Sequence, residues 1–110
     1  MKVLEGLDQV ITDFRGESVR QTLRDGSLTD FTIRDCLLQA LGNSRQSTER
    51  DFKDVLTAYE VGTRIFAAGD RLEIEDHQFD LVVKAVKEGN FTVVAGAALA
   101  KILNKAREGD

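Results

Sequence analysis

The feature that most constrains the fold is the stretch from Asp51 to Gly69, the longest run of unbroken helical periodicity in the chain. Its apolar residues recur at intervals of three, four and seven and are Phe52, Val55, Leu56, Tyr59 and Phe66, with Gly62 and Thr63 completing the stripe. This spacing predicts an amphipathic helix whose other face carries Lys53, Asp54, Thr57, Glu60 and Arg64. Because so wide an apolar stripe must be covered by other elements, we expect this helix to be the spine of a small globular domain.

Length and composition indicate one ordinary soluble domain. The chain has 110 residues, 42% hydrophobic and 31% charged, with a net charge of −4. Acids and bases are interspersed, which argues against binding driven by nucleic-acid phosphates. The single cysteine, Cys36, cannot form an internal disulfide. Met1–Val10 lacks the apolar run of a signal peptide, and Phe91–Ala100 is about half the ~20 residues of a membrane span. We therefore expect a cytoplasmic protein that is mature from Met1.

The N-terminal part predicts a β-hairpin over residues 10–24. Val10–Phe14 and Ser18–Leu23 have β-type residues with partial alternation, and Arg15-Gly16 suits a tight turn between them. A helix over Leu4–Phe14 competes with this interpretation, although Gly6 weakens it. Whether the first ten residues are strand or helix stays open. Asp25-Gly26-Ser27 predicts a further turn.

Helices are predicted for most of the remaining chain. Thr32 and Asp35 form a capping signal, with Phe31 just outside it, for a helix that ends at Gly42-Asn43. Its apolar face is Ile33, Cys36, Leu37, Ala40 and Leu41. Ser47 or Thr48 caps the spine helix, and Leu72–Ile74 is a short extended piece. Two more helices are predicted. The first covers Asp76–Lys87, and its apolar stripe is Phe79, Val82, Val83 and Val86. The second covers Thr92–Arg107, and its apolar face includes Leu99, Ile102 and Leu103. The predicted fold is a single mainly α (α+β) domain over residues 1–110, with the hairpin packed on a bundle of about four helices over 32–107.

The residues whose side chains could take part in catalysis or metal binding fit structural roles better than catalytic ones. His77, the only histidine, has Glu73, Asp76 and Asp80 nearby, but the first turn of a helix is usually exposed. The acidic run Asp70–Asp80 lacks the ligand spacing of a calcium loop. Cys36 lies on an apolar helix face, as core thiols do. Gly89-Asn90-Phe91-Thr92 falls short of a phosphate loop. We expect no catalytic residues, no cofactor and no metal.

Two surfaces are candidate binding sites. Arg15, Arg20 and Arg24, with Lys2, would form a basic ribbon for nucleic acid. The interleaved Asp8, Asp13, Glu17 and Asp25 favour a mixed-charge hairpin instead. The smooth surface Ala95, Gly96, Ala97 and Ala98 fits either an interface or an internal contact with Gly62, and we favour the internal contact.

The order of several short motifs resembles a known group of proteins. The motifs are Asp13-Phe14-Arg15-Gly16, the Thr32/Asp35 start with Ala40-Leu41 near the helix end, Leu72-Glu73-Ile74 before a helix, and Val93-Val94-Ala95-Gly96. Together they resemble small helical proteins of unassigned function encoded in bacteriophages and prophages. Glu75 departs from the pattern, because a Ser or Thr cap is expected there. The resemblance implies a bacterial or phage setting and a protein-interaction role, and it transfers no catalytic residues.

The sequence thus predicts a non-enzymatic interaction protein that binds a virion-assembly component or a host factor. Its expected location is the cytoplasm of the bacterial host cell, or the virion itself. The alternative is a nucleic-acid-binding regulator that uses Arg15, Arg20 and Arg24. Whether the protein forms homo-oligomers depends on the direction in which Ala95–Ala98 faces.

Overall fold

A computed structural model describes residues 1–43, 52–89 and 91–108 of the chain. In chain order the elements are β1 (Lys2–Glu5), β2 (Arg20–Thr22), β3 (Leu28–Asp30), α1 (Ile33–Asn43), α2 (Phe52–Ala67), β4 (Arg71–Ile74), α3 (Asp76–Glu88) and α4 (Val93–Glu108). The described residues thus form an α+β globule of four helices and two small antiparallel sheets. The predicted Ser47 or Thr48 cap lies outside them. Within the described ranges, no helix has the length and apolarity that crossing a membrane requires.

The strands do not form a single N-terminal hairpin, and of the hairpin predicted over residues 10–24 only a short contact around the Arg15-Gly16 turn forms. Strand β1 pairs antiparallel with β4, in a register that places Lys2 opposite Ile74 and Glu5 opposite Arg71. Strand β2 pairs antiparallel with β3, with Gln21 opposite Thr29. Around this turn, Thr12 and Ser18 form an isolated antiparallel bridge and the N–H of Asp13 donates to the carbonyl of Glu17 at 2.8 Å. Val10 forms a separate isolated bridge with Thr32.

A closed ring of main-chain hydrogen bonds explains why the predicted hairpin stops. The N–H of Ile11 donates to the carbonyl of Phe31, that of Phe31 to Val19, and that of Val19 to Ile11, each at 2.8 Å. The N–H of Ile11 donates to Phe31 and its carbonyl accepts from Val19, so Ile11 cannot use both groups to pair with residues 18–19. The strand pairing predicted between residues 10–14 and 18–23 therefore does not extend past Ile11. Residues 20–22 pair forward with β3 instead, across the turn predicted at Asp25-Gly26-Ser27.

The start of the chain is a strand followed by a turn, so the competing helix over Leu4–Phe14 does not form. Gly6 has a φ of +88°, a left-handed conformation that only glycine adopts readily. Its N–H and that of Leu7 both donate to the carbonyl of Asp70 at 3.0 Å. The turn after β1 is thereby fixed to the segment that precedes β4.

The helix starts largely follow the sequence signals. At α1 the Thr32 hydroxyl accepts from the N–H of Asp35 at 3.2 Å, and the Asp35 carboxylate accepts from the N–H of Thr32 at 3.2 Å. This reciprocal pair is the predicted capping box. At α3, where Glu75 replaces the expected Ser or Thr, the Gln78 side chain accepts from the N–H of Glu75 at 3.0 Å. Gln78 therefore fixes the start of α3.

Helix α2 turns a different face to the core from the one the sequence favoured. Ala58, Val61 and Ile65 are buried, whereas Leu56, Tyr59 and Phe66 are exposed. The small residues Ala58 and Gly62 explain why this face of α2 is the buried one, because they allow α1 to pack close to α2. A Cβ added at Gly62 would lie 3.9 Å from Leu38 Cδ2 and 4.0 Å from Leu41 Cδ1.

The favoured contact between Gly62 and the Ala95–Ala98 surface is also wrong. The neighbours of Gly62 are the α1 leucines described above, and a Cβ added at Gly96 would meet nothing within 4 Å. The core instead joins the N-terminal segment to all four helices, and its fully buried members include Leu4, Leu7, Ile33, Leu37, Val61, Ile74, Phe79, Val82 and Leu99.

Candidate protein-interaction surface

The main candidate site is an apolar stripe on the solvent side of α2. The exposed fractions are 45% for Val55, 68% for Leu56, 76% for Tyr59 and 73% for Phe66. Thr63 completes the stripe, and its hydroxyl donates to the carbonyl of Tyr59 at 2.9 Å. Because that hydroxyl is satisfied within the helix, it does not oppose an apolar partner. We call these five residues the exposed α2 face. At 1.5 Å per residue, the face is roughly 16 Å long.

Two arginines fix the orientation of this face relative to the rest of the protein. Arg34 of α1 donates to the carbonyls of Ile65, Ala68 and Gly69 at the end of α2, at 3.1, 2.6 and 2.6 Å. Arg64 donates to Gln78 Oε1 at 3.2 Å and to the carbonyl of Glu73 at 2.8 Å. The helix is therefore tied to α1, β4 and α3, and the stripe is presented on a rigid element.

The sequence pattern predicts that this stripe is buried, so it does not mark the stripe as a site. A signal that pointed the other way was present in the chain. Ala58, Val61 and Ile65 form a second apolar row at intervals of three and four residues. A helix with two apolar rows can bury only one of them against a given neighbour, so the other is available at the surface. The side chain of Phe52, which the sequence placed in the stripe, lies outside the described residues.

A second surface lies between residues 9–14 and α4. It is a groove of about 310 Å³ that Ile11, Val94, Ala98 and Ile102 help to line. Phe14 and Val93 also line it and are 87% and 74% exposed.

Only some of the four residues predicted as a candidate interface line this groove. The four are Ala95, Gly96, Ala97 and Ala98. Ala97 and Ala98 line it, while Ala95 is buried in the core and Gly96 is half-buried. These residues therefore do not act together as one smooth surface.

The candidate nucleic-acid residues lie on two separate turns and one strand. Arg15 sits in the turn where Asp13 accepts from the N–H groups of Arg15 and Glu17, at 2.8 and 3.0 Å. Arg20 on β2 has its Nε 3.7 Å from Asp30 Oδ1 on β3. Arg24 precedes Asp25, whose pKa is lowered by hydrogen bonds from the Ser27 hydroxyl and N–H. Each arginine is exposed and has a carboxylate close in sequence or in space.

The remaining candidates for chemistry have structural surroundings. His77 is exposed in the first turn of α3, with Nδ1 3.2 Å from Glu75 Oε2. Cys36 is fully buried, and burial raises the pKa of its thiol to about 12, with the Asp35 carboxylate adding to the effect. The thiol is therefore protonated at neutral pH. Among the residues described by the structure, no group of three or more His, Cys, Asp or Glu side chains is placed to hold a metal ion.

No model of a known protein family, no curated protein and no solved structure matches this chain.

Proposed function

We propose that this protein is a non-enzymatic interaction module that binds another protein through the exposed α2 face. The observation that carries the proposal is the exposure of Leu56, Tyr59 and Phe66 on one face of one helix. Removing apolar side chains from water lowers the free energy, so a contiguous exposed apolar patch favours a partner that covers it. Large exposed patches of this kind mark interaction sites. Aromatic residues are also enriched at the energetic centres of interfaces.

The resemblance to phage and prophage proteins supplies the setting of this proposal. The partner is then a virion-assembly component or a host protein. A rigid helix face of this kind suits a partner that contributes its own apolar groove or helix. The hydrogen bonds from Arg34 and Arg64 support the idea, because a preformed face loses less conformational entropy on binding than a mobile one.

Site-specific photo-crosslinking in bacterial cells tests the proposal. A benzophenone amino acid replaces Tyr59, and the control places it at Asn104, an exposed position on α4. We expect position 59 to give a protein adduct that position 104 does not give, in infected or uninfected cells. The captured protein is then purified and its affinity measured against wild type, Tyr59→Lys and Phe66→Lys.

The matched control for those substitutions is Phe14→Lys, which removes an exposed aromatic from the other surface. We expect Tyr59→Lys and Phe66→Lys to weaken binding at least ~10-fold, in line with losing a central aromatic contact, and Phe14→Lys to leave it unchanged. Equal loss in all three variants, or no adduct at position 59 under either condition, would rule out the α2 face as the binding site.

The nucleic-acid alternative has less support, because carboxylates accompany all three arginines. It predicts binding to DNA or RNA that falls steeply with salt and disappears in the variant with Arg15, Arg20 and Arg24 all changed to Glu. We expect a gel-shift assay at low salt to show no such binding. A salt-sensitive shift that the triple variant loses would replace our proposal with this one.

A further inference from the structure

We infer that the groove between residues 9–14 and α4 binds an extended segment of a partner protein, which pairs as an added strand with Val10 and Thr12. The bound segment carries apolar side chains at alternate positions and an acidic residue at its C-terminal end. This groove is separate from the exposed α2 face, so the inference goes beyond the proposed function and does not depend on it.

The segment from Gln9 to Asp13 uses the main-chain groups of one edge and leaves those of the other edge open. Gln9, Ile11 and Asp13 bond to residues 33, 31, 19 and 17 on the first edge. The N–H and C=O groups of successive strand residues point to opposite edges, so those of Val10 and Thr12 point the other way. Within residues 1–43, 52–89 and 91–108, these four groups have no hydrogen-bond partner. We call this side the open edge, and such an edge is a template for pairing with another chain.

The groove lies along the open edge. Its described lining consists of residues 9–14 on one side and of α4 on the other, whereas residues 17–19 and 31–33 occupy the opposite edge. Ala97 and Ala98 of α4 are small and leave room beside the edge. The groove volume of about 310 Å³ is twice that of a cavity of roughly 150 Å³, which holds one benzene ring. It therefore accommodates about two apolar side chains, such as those two positions apart on one face of a strand.

The open main-chain groups indicate that the occupant is an extended chain. An antiparallel strand exchanges two hydrogen bonds with Val10 and two with Thr12. A helix satisfies its main-chain groups internally, and an apolar small molecule has none, so neither could form these bonds. A second copy of this chain fits poorly, because its own residues 9–14 lie against its own α4, which would have to enter the groove with them.

The charges of the groove set the direction of the bound segment. A Cβ added at Gly6 would lie 2.9 Å from Ile102 Cδ1 and 3.3 Å from Gln9 Oε1, so the Gln9 end of the groove lies beside Ile102. The neighbouring Lys101 is exposed and also lines the groove. Asp13 lines it four residues beyond Gln9, roughly 13 Å along the edge. An antiparallel segment ends near Lys101 and begins near Asp13, so we expect it to be acidic at its end and basic at its start.

The small size of the site sets the expected affinity. Four main-chain hydrogen bonds and two apolar side chains must offset the entropy that an extended segment loses when it is immobilised. We therefore expect a short peptide to bind with a dissociation constant on the order of 100 μM. A binding site of this strength suits a segment that is held nearby by a second contact.

Amide NMR of the ¹⁵N-labelled full chain tests the inference with the blocked heptapeptide Lys-Val-Thr-Val-Thr-Val-Glu. The matched control is the reversed peptide, Glu-Val-Thr-Val-Thr-Val-Lys. In the free protein, the amide protons of Val10 and Thr12 should exchange quickly with water and that of Ile11 slowly. We expect the first peptide to give saturable shifts at Val10 and Thr12 and to slow their exchange. It should bind at least ~5-fold more tightly than the reversed peptide.

Three pairs of variants locate the site. Thr12→Pro removes an N–H from the open edge and should abolish binding, whereas Thr12→Val keeps that N–H and should bind the peptide. Ala97→Leu fills the groove and should also abolish binding. Its control is Ala100→Leu at an exposed position of α4 outside the described lining. Lys101→Glu should reverse the preference between the two peptides, and Tyr59→Lys on the exposed α2 face should bind like wild type.

The outcomes keep this inference distinct from the proposed function. If neither peptide gives saturable shifts at Val10 or Thr12 up to about 2 mM, the groove does not bind an extended segment, whatever position 59 captures. A peptide with N-methyl groups on alternate residues should not bind, and equal binding would rule out strand pairing even if Thr12→Pro failed to fold. If sedimentation shows a dimer of wild type that Thr12→Pro loses, a second copy occupies the open edge and the inference is wrong. Circular dichroism and thermal melting ensure that only folded variants are compared.

Discussion

The guanidinium group of Arg34 donates to the main-chain carbonyl oxygen of Ala68 at 2.6 Å. Helix α2 ends at Ala67, and the last carbonyls of a helix have no donor within the helix. Arg34 also donates to the carbonyls of Ile65 and Gly69 and to the carboxylate of Asp8. One side chain of α1 thus caps α2 and joins it to the N-terminal segment.

We expect Arg34→Met to lower the free energy of unfolding by about 2–3 kcal/mol. The substitution keeps much of the side-chain volume but leaves several carbonyls and the Asp8 carboxylate without their donor. Urea denaturation measures the effect. The control is Arg24→Met at the exposed turn between β2 and β3, which should cost less than ~0.5 kcal/mol.

Arg34→Lys should fall between these two variants. Its single ammonium group cannot hold the geometry in which one guanidinium reaches three carbonyls and a carboxylate. If Arg34→Met proves as stable as Arg24→Met, the capping role assigned to Arg34 is wrong.

The second prediction concerns the left-handed turn after β1. Gly6 and Gly16 have similar φ angles, +88° and +83°. A Cβ added at Gly6 would lie 2.9 Å from Ile102 Cδ1, whereas a Cβ at Gly16 would meet nothing within 4 Å. Gly16→Ala should cost about 1 kcal/mol for the backbone alone, and Gly6→Ala about 2–4 kcal/mol because the steric clash is added.

A double variant identifies the clash. Ile102→Val removes the Cδ1 atom and by itself should cost about 0.5–1.5 kcal/mol. Combined with Gly6→Ala, it should cost less than the sum of the two single substitutions when unfolding free energies are compared. Strict additivity would show that Ile102 does not limit position 6.

The features that the sequence predicted well are local ones. The Thr32 and Asp35 capping box, the turn at Asp25-Gly26-Ser27 and the four helices each follow from residues within a few positions of one another. The pairing of β1 with β4 joins residues about seventy positions apart in the chain, and no local pattern encodes such a contact. The face that α2 buries depends on how closely α1 approaches, which is also a property of two separate elements.

Gly62 provides the third prediction, because its role differs from the one the sequence indicated. A Cβ at this position would make ordinary contacts with Leu38 and Leu41. Gly62→Ala should therefore raise the free energy of unfolding by about 0.5–1 kcal/mol, since alanine favours the helix and fills available space. Gly62→Leu should be less stable than Gly62→Ala by on the order of 1–3 kcal/mol, because the larger side chain overpacks against α1.

Thermal melting of wild type and the two Gly62 variants tests this order of stability. Gly96→Ala is the control, because the added methyl group meets no neighbour within 4 Å and reports helix propensity alone. If Gly62→Ala destabilises the protein while Gly96→Ala stabilises it, α1 and α2 lie closer than the structure places them.

The last prediction concerns the buried thiol of Cys36. Burial raises its pKa from the ordinary value of 9.0 to about 12, so the thiol keeps its proton to a higher pH in the folded protein than in the unfolded chain. Between these two values the unfolded chain releases that proton and the folded chain keeps it. The stabilisation that the neutral thiol provides is therefore complete below about pH 9 and is lost as the pH rises toward about 12.

Comparison with Cys36→Ala isolates this contribution, because every other residue is the same in both proteins. The stability of wild type relative to Cys36→Ala should decline as the pH rises above about 9, and urea denaturation across that range measures it. An aromatic disulfide reagent at about pH 8 gives an independent measurement, since only the thiolate attacks it. We expect no reaction in the folded protein and complete reaction in urea. Rapid labelling of the folded protein would show that Cys36 is accessible, and would reopen the question of a reactive thiol.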